Sequence, residues 1–217
     1  NDKKLTNLSN KHWKTTIKNG GSSFITDYFT GQLKSSLICK HCNTERNNFE
    51  SLNNISLSLP SNLHNNNTID IEECFNDYFK SEVLTLDDAV DCEKCKAKTT
   101  TVKSLALWKY PTIFIINLKR YTQLPNGYFK RNNCIVDFSP TLTFSRTFNG
   151  KEKIFEYELL CVVNHFGNTP MGGHYTTLIK HNTEEYKWIH IDDCNIYKSK
   201  VEELVTQAAY ILIYRLK

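Results

Sequence analysis

Two Cys-x-x-Cys pairs constrain the possible folds of this chain more than any other feature of its sequence. Cys39 and Cys42 form the first pair. Cys92 and Cys95 form the second, after 49 intervening residues. Four thiolates are a common tetrahedral ligand set for structural Zn²⁺, and two such knuckles can reach one ion if the residues between them are looped out. The alternatives are four buried thiols or a redox-active pair, but the paired motif favours zinc, and His41 is not expected to be a further ligand.

The use of cysteine also indicates a cellular compartment. The chain has 8 cysteines in 217 residues, and its first residues lack the apolar core of a secretory signal. Such cysteines are expected to bind metal or take part in chemistry in a reducing compartment rather than to form disulfides. We therefore predict a cytoplasmic location, with a nuclear or endosome-associated one also open.

Charge and hydropathy argue against two classes of partner. The formal net charge is only +4, and the lysines are scattered rather than concentrated in one stripe. Nucleic-acid binding is therefore not indicated. No apolar run approaches the roughly 20 residues that span a bilayer, so membrane insertion is not expected. The hydrophobic content of 40% fits a well-cored globular protein with one substantial domain or two small ones.

A histidine near the C-terminus has the setting of a catalytic base. His174 follows two glycines, and an alternating run leads to a second apolar stretch that ends in Asp192 and Asp193. Two antiparallel strands joined by a turn at residues 182–185 would bring His174 opposite Asp192. A carboxylate on one imidazole nitrogen fixes the tautomer and leaves the other nitrogen free to serve a nucleophile. The alternative is a structural histidine in a hairpin, but the glycines and the acidic pair favour catalysis.

Hydrophobic periodicity predicts the elements around these motifs. Helical spacing predicts a helix from Leu5 to Ile17, and Ser22 or Ser23 can cap a short helix that follows it. The remaining predictions, in chain order, are a half-buried strand at 55–59, a polar loop at 61–67, a helix opened by Asp70, a central strand at 113–118 buried on both faces, a strand at 157–166 and a closing strand at 208–214.

Several of these motifs resemble those of the ubiquitin-specific proteases, papain-like cysteine peptidases that remove ubiquitin. Gly-Gly-His-Tyr at 172–175, followed by Trp-x-x-x-Asp-Asp at 188–193, is similar to the histidine box of that family. Gly-Gln-Leu-Lys-Ser at 31–35 resembles the start of its fingers subdomain. Leu-Lys-Arg-Tyr at 118–121 resembles its Leu-Lys-Arg-Phe segment, with Tyr121 replacing phenylalanine. The closing Ala-Ala-Tyr-Ile-Leu-x-Tyr, with Asn-His-x-Gly before the box, is most similar to the branch associated with endosomal sorting.

The resemblance covers nearly the whole chain and implies an α+β fold. A papain-like palm would be built on a mixed, mainly antiparallel sheet, and a β-rich zinc ribbon would form the fingers. The expected division is a helical segment at 1–30, zinc-binding fingers with an inserted helix at 31–104, and the palm sheet with the histidine box at 105–217.

The resemblance also implies a reaction. In the family, a cysteine thiolate attacks the carbonyl at the C-terminal glycine of ubiquitin, and His174 would serve as its base and then as general acid. Asp192 matches the position of the residue that orients the histidine. Asp193 is expected to have a secondary role.

Two loops are expected to line a channel for the C-terminal tail of ubiquitin, at 122–133 and 167–173. Gly172 and Gly173 would let the backbone approach an extended Gly-Gly tail closely. Tyr175 would form a wall of the channel, although a core tyrosine on a strand is an equal alternative.

The cysteine box of the family, Asn-x-Gly-Asn-Thr-Cys, has no match in this sequence. Four cysteines remain after zinc takes four, and none lies in that context: Cys74, Cys134, Cys161 and Cys194. Structural roles are the default for them. We therefore expect the chain to hold the fingers and most of the palm. A thumb that bears the nucleophilic cysteine would lie upstream, in the same or another polypeptide, so this chain alone is expected to be inactive.

Three interpretations compete. The leading one is part of a ubiquitin-specific cysteine protease that hydrolyses isopeptide and peptide bonds at the C-terminus of ubiquitin, with one structural zinc ion and with ubiquitin and ubiquitinated proteins as partners. A catalytically inactive ubiquitin-binding module is the second, which the missing cysteine permits but His174 and Asp192 argue against. An unrelated zinc-ribbon scaffold is the third, and it would require the histidine box to arise by chance.

Overall fold

The computed structural model describes residues 2–60, 68–181 and 187–217. The polar loop predicted at 61–67 and the turn predicted at 182–185 lie outside these described residues. Contacts within the chain divide it into two compact units. Unit 1 consists of Asn1–Asn53, Phe79–Thr112 and Thr147–Glu152, and unit 2 consists of Asn54–Tyr78, Ile113–Arg146 and Lys153–Lys217.

Strands outnumber helices among the described residues. The helices are α1 (Asp2–Gly20), α2 (Phe24–Phe29) and α3 (Ile71–Tyr78). The strands are β1 (Gly31–Cys39), β2 (Glu45–Leu52), β3 (Ile55–Ser58), β4 (Thr68–Asp70), β5 (Glu82–Leu84), β6 (Val90–Cys92), β7 (Ala97–Thr99), β8 (Thr101–Lys109), β9 (Ile113–Lys119), β10 (Tyr121–Gln123), β11 (Phe129–Arg131), β12 (Ile135–Asp137), β13 (Thr141–Phe148), β14 (Lys151–Thr169), β15 (Gly172–Lys180), β16 (Trp188–Asp192), β17 (Asn195–Ser199) and β18 (Ala209–Leu216). None of the described helices combines the length and the apolar character needed to cross a membrane.

The sheets are mixed but mainly antiparallel, which confirms the predicted α+β class. Unit 1 contains a four-stranded antiparallel sheet with the order β2-β1-β8-β5, and a separate hairpin of β6 and β7. Unit 2 is built on a larger sheet with the order β17-β16-β15-β14-β18-β9-β3. The pairing of β3 with β9 in this sheet is parallel, as is the separate pair of β4 and β12.

The two helices predicted at the start of the chain are confirmed. Helix α1 is joined to β1 through a buried polar pair, in which Ser9 Oγ donates to Gln32 Oε1 at 2.7 Å. Gln32 Nε2 in turn donates to the Ser9 carbonyl, so both polar groups are satisfied inside unit 1. Helix α2 begins after Ser23, whose side chain accepts a hydrogen bond from the Thr26 N–H.

Part of the segment between the two Cys-x-x-Cys pairs belongs to unit 2. Residues 54–78, expected within the fingers segment at 31–104, belong to unit 2. The reason is burial: Ile55 and Leu57 are fully buried where β3 pairs with β9. The Phe75 ring on α3 packs edge-on against Phe144, with centroids 5.2 Å apart. The strand β3 of this segment therefore extends the large sheet of unit 2.

The strand β9 is buried on one face only, whereas the sequence predicted burial on both. Its alternate residues Phe114, Ile116 and Leu118 are fully buried, and the residues between them are half-buried. Because neighbouring strands alternate in the same way, half-buried side chains line up across the sheet in register. This half-buried row consists of Ile115, Ile213, Cys161, Ile179 and Ile189.

Candidate active site and metal centre

Two tight turns in unit 1 present the four cysteines of the Cys-x-x-Cys pairs. In the first turn, Asn43 N–H donates to the Cys39 carbonyl at 2.9 Å, and in the second, Lys96 N–H donates to the Cys92 carbonyl at 2.8 Å. Asn43 and Lys96 both have a φ of 55°, in the left-handed region that few residues other than glycine adopt. Each knuckle therefore bends back on itself directly after its second cysteine.

The four sulfur atoms lie close enough to share one metal ion. The Sγ atoms of Cys39, Cys42, Cys92 and Cys95 are all within 4.8 Å of one another. The Cys39–Cys95 distance is 3.9 Å and the Cys42–Cys92 distance is 3.5 Å. A tetrahedral Zn²⁺ with Zn–S bonds of about 2.3 Å places its sulfurs about 3.8 Å apart, so the observed spacing fits the ion.

The electrostatics of the cluster also favour a bound cation. The side-chain hydrogen bond with Thr99 lowers the pKa of the Cys39 thiol to about 6. In contrast, hydrogen bonding with the Cys42 sulfur raises the pKa of Cys95 to about 12. Four thiolates repel one another without a metal, and a divalent cation would stabilise them all. The His41 ring lies outside this group of sulfurs, with Nδ1 3.6 Å from Cys95 Sγ.

In unit 2, the hairpin of β15 and β16 brings His174 and Asp192 together. His174 lies near the start of β15, and Asp192 ends β16, which runs antiparallel to it. His174 Nε2 and Asp192 Oδ1 are 2.6 Å apart, a short hydrogen bond. Both side chains are partly exposed, at 48% and 36%. Since Nε2 is bound to the carboxylate, Nδ1 is the nitrogen that can face a nucleophile.

Asp193 belongs to the same group but not to the same strand. Its carboxylate lies within 4.8 Å of the His174 and Asp192 ligand atoms. Asp193 has a φ of 51° because it occupies the two-residue turn between β16 and β17, where Asp192 pairs with Asn195. In the structure, therefore, Asp192 makes the short hydrogen bond to His174, and Asp193 lies beside it in the turn.

The two glycines before His174 have different surroundings. A Cβ atom on Gly173 would lie 2.3 Å from His165 Nε2 and 2.5 Å from the Phe166 carbonyl oxygen, so only glycine fits there. A Cβ on Gly172 would meet nothing within 4 Å. Tyr175 is 49% exposed, and its ring stacks on His165 with centroids 4.4 Å apart. Tyr175 is therefore not a core tyrosine, because one face of its ring is available.

A hydrogen-bonded network beneath these residues was not predicted from the sequence. Tyr121 Oη lies 2.6 Å from His165 Nδ1 and donates to the Gly167 carbonyl at 2.8 Å. Arg131 donates to the carbonyls of Gly167 and His165, at 2.6 Å and 2.7 Å. Burial and the nearby Arg131 charge lower the pKa of His165, so the ring is neutral at physiological pH. The Asn-His-x-Gly motif at this position is the sequence feature that could have indicated the network.

Three of the four cysteines outside the four-cysteine cluster have environments that disfavour a reactive thiolate. Burial raises the pKa of Cys74 to about 11 and that of Cys161 to about 11, and it also raises the pKa of Cys134. Cys194 is exposed in the turn after Asp193. Within the described part of the chain, no cysteine sulfur belongs to the group formed by His174, Asp192 and Asp193.

Comparison with known proteins shows sequence relatives along almost the whole chain. A family model described as ubiquitin carboxyl-terminal hydrolase matches residues 3–214. Ubiquitin carboxyl-terminal hydrolase 21 of Homo sapiens is 29% identical over 209 residues, which cover 96% of this chain and 36% of that protein. Ubiquitin carboxyl-terminal hydrolase Usp2 of Drosophila melanogaster is 33% identical over 207 residues, which cover 93% of this chain and 21% of that protein. The chain thus spans about a third of the length of the first relative and about a fifth of the length of the second.

A solved structure has a similar fold. It is described as the SAGA Ubp8/Sgf11/Sus1/Sgf73 DUB module bound to ubiquitin aldehyde, and it matches with a TM-score of 0.77 and 23% sequence identity. The match covers 99% of this chain and 48% of that chain. At this level of identity the similarity concerns the fold alone.

Proposed function

This chain belongs to the ubiquitin carboxyl-terminal hydrolase family, and we propose that it forms part of a thiol-dependent hydrolase that cleaves isopeptide and peptide bonds at the C-terminus of ubiquitin. The observation that carries the proposal is the 2.6 Å hydrogen bond between His174 Nε2 and Asp192 Oδ1, beside the open face of Tyr175. Ubiquitin and ubiquitinated proteins are the proposed partners. In support, the similar solved module is described as bound to ubiquitin aldehyde.

In the proposed reaction, His174 moves protons at Nδ1 while Asp192 holds the ring from the other side. A cysteine thiolate attacks the carbonyl carbon of the terminal glycine of ubiquitin, and a C–S bond forms. The bond from that carbon to the substrate amine breaks, and the departing nitrogen takes a proton from His174. Water then attacks the same carbon as His174 accepts its proton; a C–O bond forms, the C–S bond breaks, and the cysteine leaves as the thiolate. The Asp192 carboxylate stabilises the imidazolium in both steps.

We propose that the nucleophilic cysteine comes from a thumb segment outside these 217 residues. Burial keeps the Cys74, Cys134 and Cys161 thiols protonated, which supports this assignment. The half-buried row on the large sheet of unit 2 is an apolar surface on which such a segment could pack. Upstream residues of the same polypeptide are the proposed source, because the matched relatives are about three to five times longer than the matching region.

The four-cysteine cluster is proposed to hold one structural Zn²⁺ ion. When bound, the ion would supply no step of the hydrolysis; Cys39, Cys42, Cys92 and Cys95 would tie the ends of β1 and β6 together around it. A cytoplasmic location, with a nuclear or endosome-associated one also open, stays a proposal from the sequence. Placement in the endosomal-sorting branch stays a prediction.

The proposed function is tested by hydrolysis of a fluorogenic ubiquitin amide by the full-length protein. We expect thiol-dependent turnover, and Asp192→Ala should lower kcat/KM about 10²–10⁴-fold because the imidazole loses its orienting partner. The matched variant Asp193→Ala should lower it much less, since Asp193 occupies the turn. A larger loss for Asp193→Ala would contradict the assignment of the orienting acid. Ubiquitin binding without any turnover would favour the inactive binding module instead.

A further inference from the structure

The imidazole of His165 lies at the centre of a cluster of aromatic side chains. His165 is on β14 and is fully buried. The rings around it are those of Tyr121, Tyr175 and Tyr210, with centroids 5.7, 4.4 and 5.6 Å from the His165 ring. A buried histidine without a carboxylate partner needs its ring nitrogens satisfied in some other way.

The hydrogen bonds of Tyr121 determine the tautomer of His165. The single hydroxyl proton of Tyr121 goes to the Gly167 carbonyl, 2.8 Å away. Arg131 also donates to the Tyr121 oxygen, at 3.2 Å. The oxygen therefore accepts from His165 Nδ1 at 2.6 Å, and that nitrogen carries the proton. His165 Nε2 then carries a lone pair, and it is buried without a hydrogen-bond partner among the described residues.

The unprotonated edge of this ring lies directly under the backbone that leads into His174. A Cβ atom on Gly173 would lie 2.3 Å from Nε2, and one on Gly167 would lie 3.3 Å from Cε1. The ring thus fills the space that side chains at these two positions would need. Tyr175, on the other side of His174, stacks on the same ring at an interplanar angle of 26°. The residues before and after His174 therefore rest on one imidazole.

We propose that His165, held by the hydroxyl group of Tyr121, is a positioning residue for His174. The inference rests on the proposed function, in which His174 exchanges protons with a nucleophile. Tyr121 replaces the phenylalanine of the Leu-Lys-Arg-Phe segment that the sequence resembles, so the hydroxyl group is a feature of this chain. Fixing the His165 ring keeps Gly173 and Tyr175 in place, and with them the imidazole that must stay beside Asp192.

The test uses the full-length protein and a fluorogenic ubiquitin amide. Tyr121→Phe removes only the hydroxyl group, and it should lower kcat about 10-fold to 100-fold while KM stays within about twofold, because a catalytic group displaced by about 1 Å loses rate of that order. His165→Asn keeps a donor for Tyr121 but loses the ring, and it should lower kcat at least as much. His181→Asn is the matched control, since His181 follows the far end of β15, and it should leave kcat unchanged.

A second measurement does not depend on turnover. Imidazole ¹⁵N spectra of the full-length protein should show His165 protonated at Nδ1, and Tyr121→Phe should shift the His174 signals. Unchanged His174 signals together with a kcat within twofold of the wild type would overturn the inference while the proposed function stands. A wild-type protein without hydrolytic activity would refute the proposed function alone, because the spectra still decide whether Tyr121 and His165 hold His174.

Discussion

At the scale of single residues, Gly172 and Gly173 look equivalent in the sequence but have different roles in the structure. Both were predicted to let a ubiquitin tail approach the backbone. Gly173 is needed by the protein itself, because His165 and the Phe166 carbonyl occupy the space of its missing side chain. Gly172 has open space beside it. The structure therefore explains the glycine at 173, whereas the role of Gly172 in admitting a ubiquitin tail stays a prediction.

This difference predicts unequal effects on stability. Gly173→Ala should lower the free energy of unfolding by about 1–3 kcal/mol, because the new methyl group must displace a ring or a backbone carbonyl. Gly172→Ala is the matched control and should change it by less than about 0.5 kcal/mol. Urea unfolding of both variants and of the wild type measures the difference. Equal effects of the two substitutions would show that the His165 ring does not lie where the structure has it.

At the scale of elements, the proposed zinc ion would stabilise the two knuckles. The hairpin of β6 and β7 has only three residues in each strand, and two-stranded hairpins of this size are marginally stable in water. A zinc ion bound by Cys39, Cys42, Cys92 and Cys95 would join this hairpin to the end of β1.

Cys92→Ser should therefore lower both the zinc content and the thermal midpoint of the protein. Elemental analysis of the purified variant gives the first quantity and a melting curve gives the second. Cys194→Ser is the matched control, because Cys194 lies outside the cluster, and it should retain about one zinc per chain. Stoichiometric zinc in a variant that carries both Cys39→Ser and Cys92→Ser would rule out this ligand set.

Three strands of unit 2 are linked by a carboxylate whose effect depends on pH. Glu158 on β14 accepts hydrogen bonds from Lys180 on β15, at 2.5 Å, and from Arg215 on β18. These two cations lower the pKa of Glu158 below its usual value near 4.5, with the Lys180 hydrogen bond as the largest cause. A carboxyl group whose pKa is lowered by folding stabilises the folded state above the pKa of the unfolded chain. That contribution is lost as the pH falls through the folded value.

Glu158→Gln should accordingly lower the free energy of unfolding by about 1 kcal/mol at pH 7. The difference from the wild type should shrink as the pH falls below about 4.5, where the wild-type carboxyl group also becomes neutral. Denaturant unfolding of both proteins across this pH range is the measurement. Glu156→Gln is the control, because Glu156 pairs with Lys217 at a more exposed position and should change stability by less than about 0.5 kcal/mol. If the stability difference between Glu158→Gln and the wild type grew on acidification, the assigned direction of the Glu158 pKa shift would be wrong.

Local patterns in the sequence predicted most of the elements, while contacts between distant residues were out of reach. The helices α1 and α2 and the two Cys-x-x-Cys turns follow from spacing and capping within a few residues. The position of residues 54–78 depends on which strand pairs with β3. The spacing of apolar residues along the sequence does not indicate which strand that is. The bond between Tyr121 and His165 joins residues 44 positions apart, so the motif alone could not reveal it.

At the scale of the whole molecule, the half-buried row on the large sheet is the surface on which the proposed thumb segment would pack. The 217 residues contain a histidine and its acid, but burial raises the pKa of three of the four cysteines outside the zinc cluster. A histidine–carboxylate pair without its nucleophile retains only a residual rate from binding and positioning. The half-buried apolar row would also favour association between copies of the isolated chain.

The isolated chain should therefore fail to hydrolyse a fluorogenic ubiquitin ester or amide. Supplying the proposed upstream cysteine-bearing segment, covalently or in trans, should restore thiol-dependent cleavage, and His174→Ala should abolish it again. Turnover by the isolated chain that is lost on replacing Cys194 or Cys161 would show that the nucleophile lies within these residues. In that case the proposal of a separate thumb would be wrong.

The division of the chain into two units has a consequence for how the protein is made. Each unit is assembled from three separate stretches, and the stretches alternate along the chain. On the ribosome, unit 1 lacks its last stretch until residue 152 has been synthesised, and unit 2 lacks its closing strand until β18 emerges. Parts of both units are therefore synthesised before either unit is complete. In many other proteins, by contrast, the domains fold one after another from the N-terminus. Translation thus interleaves the two units, and a contiguous fragment that contains only one of them cannot be cut from this sequence.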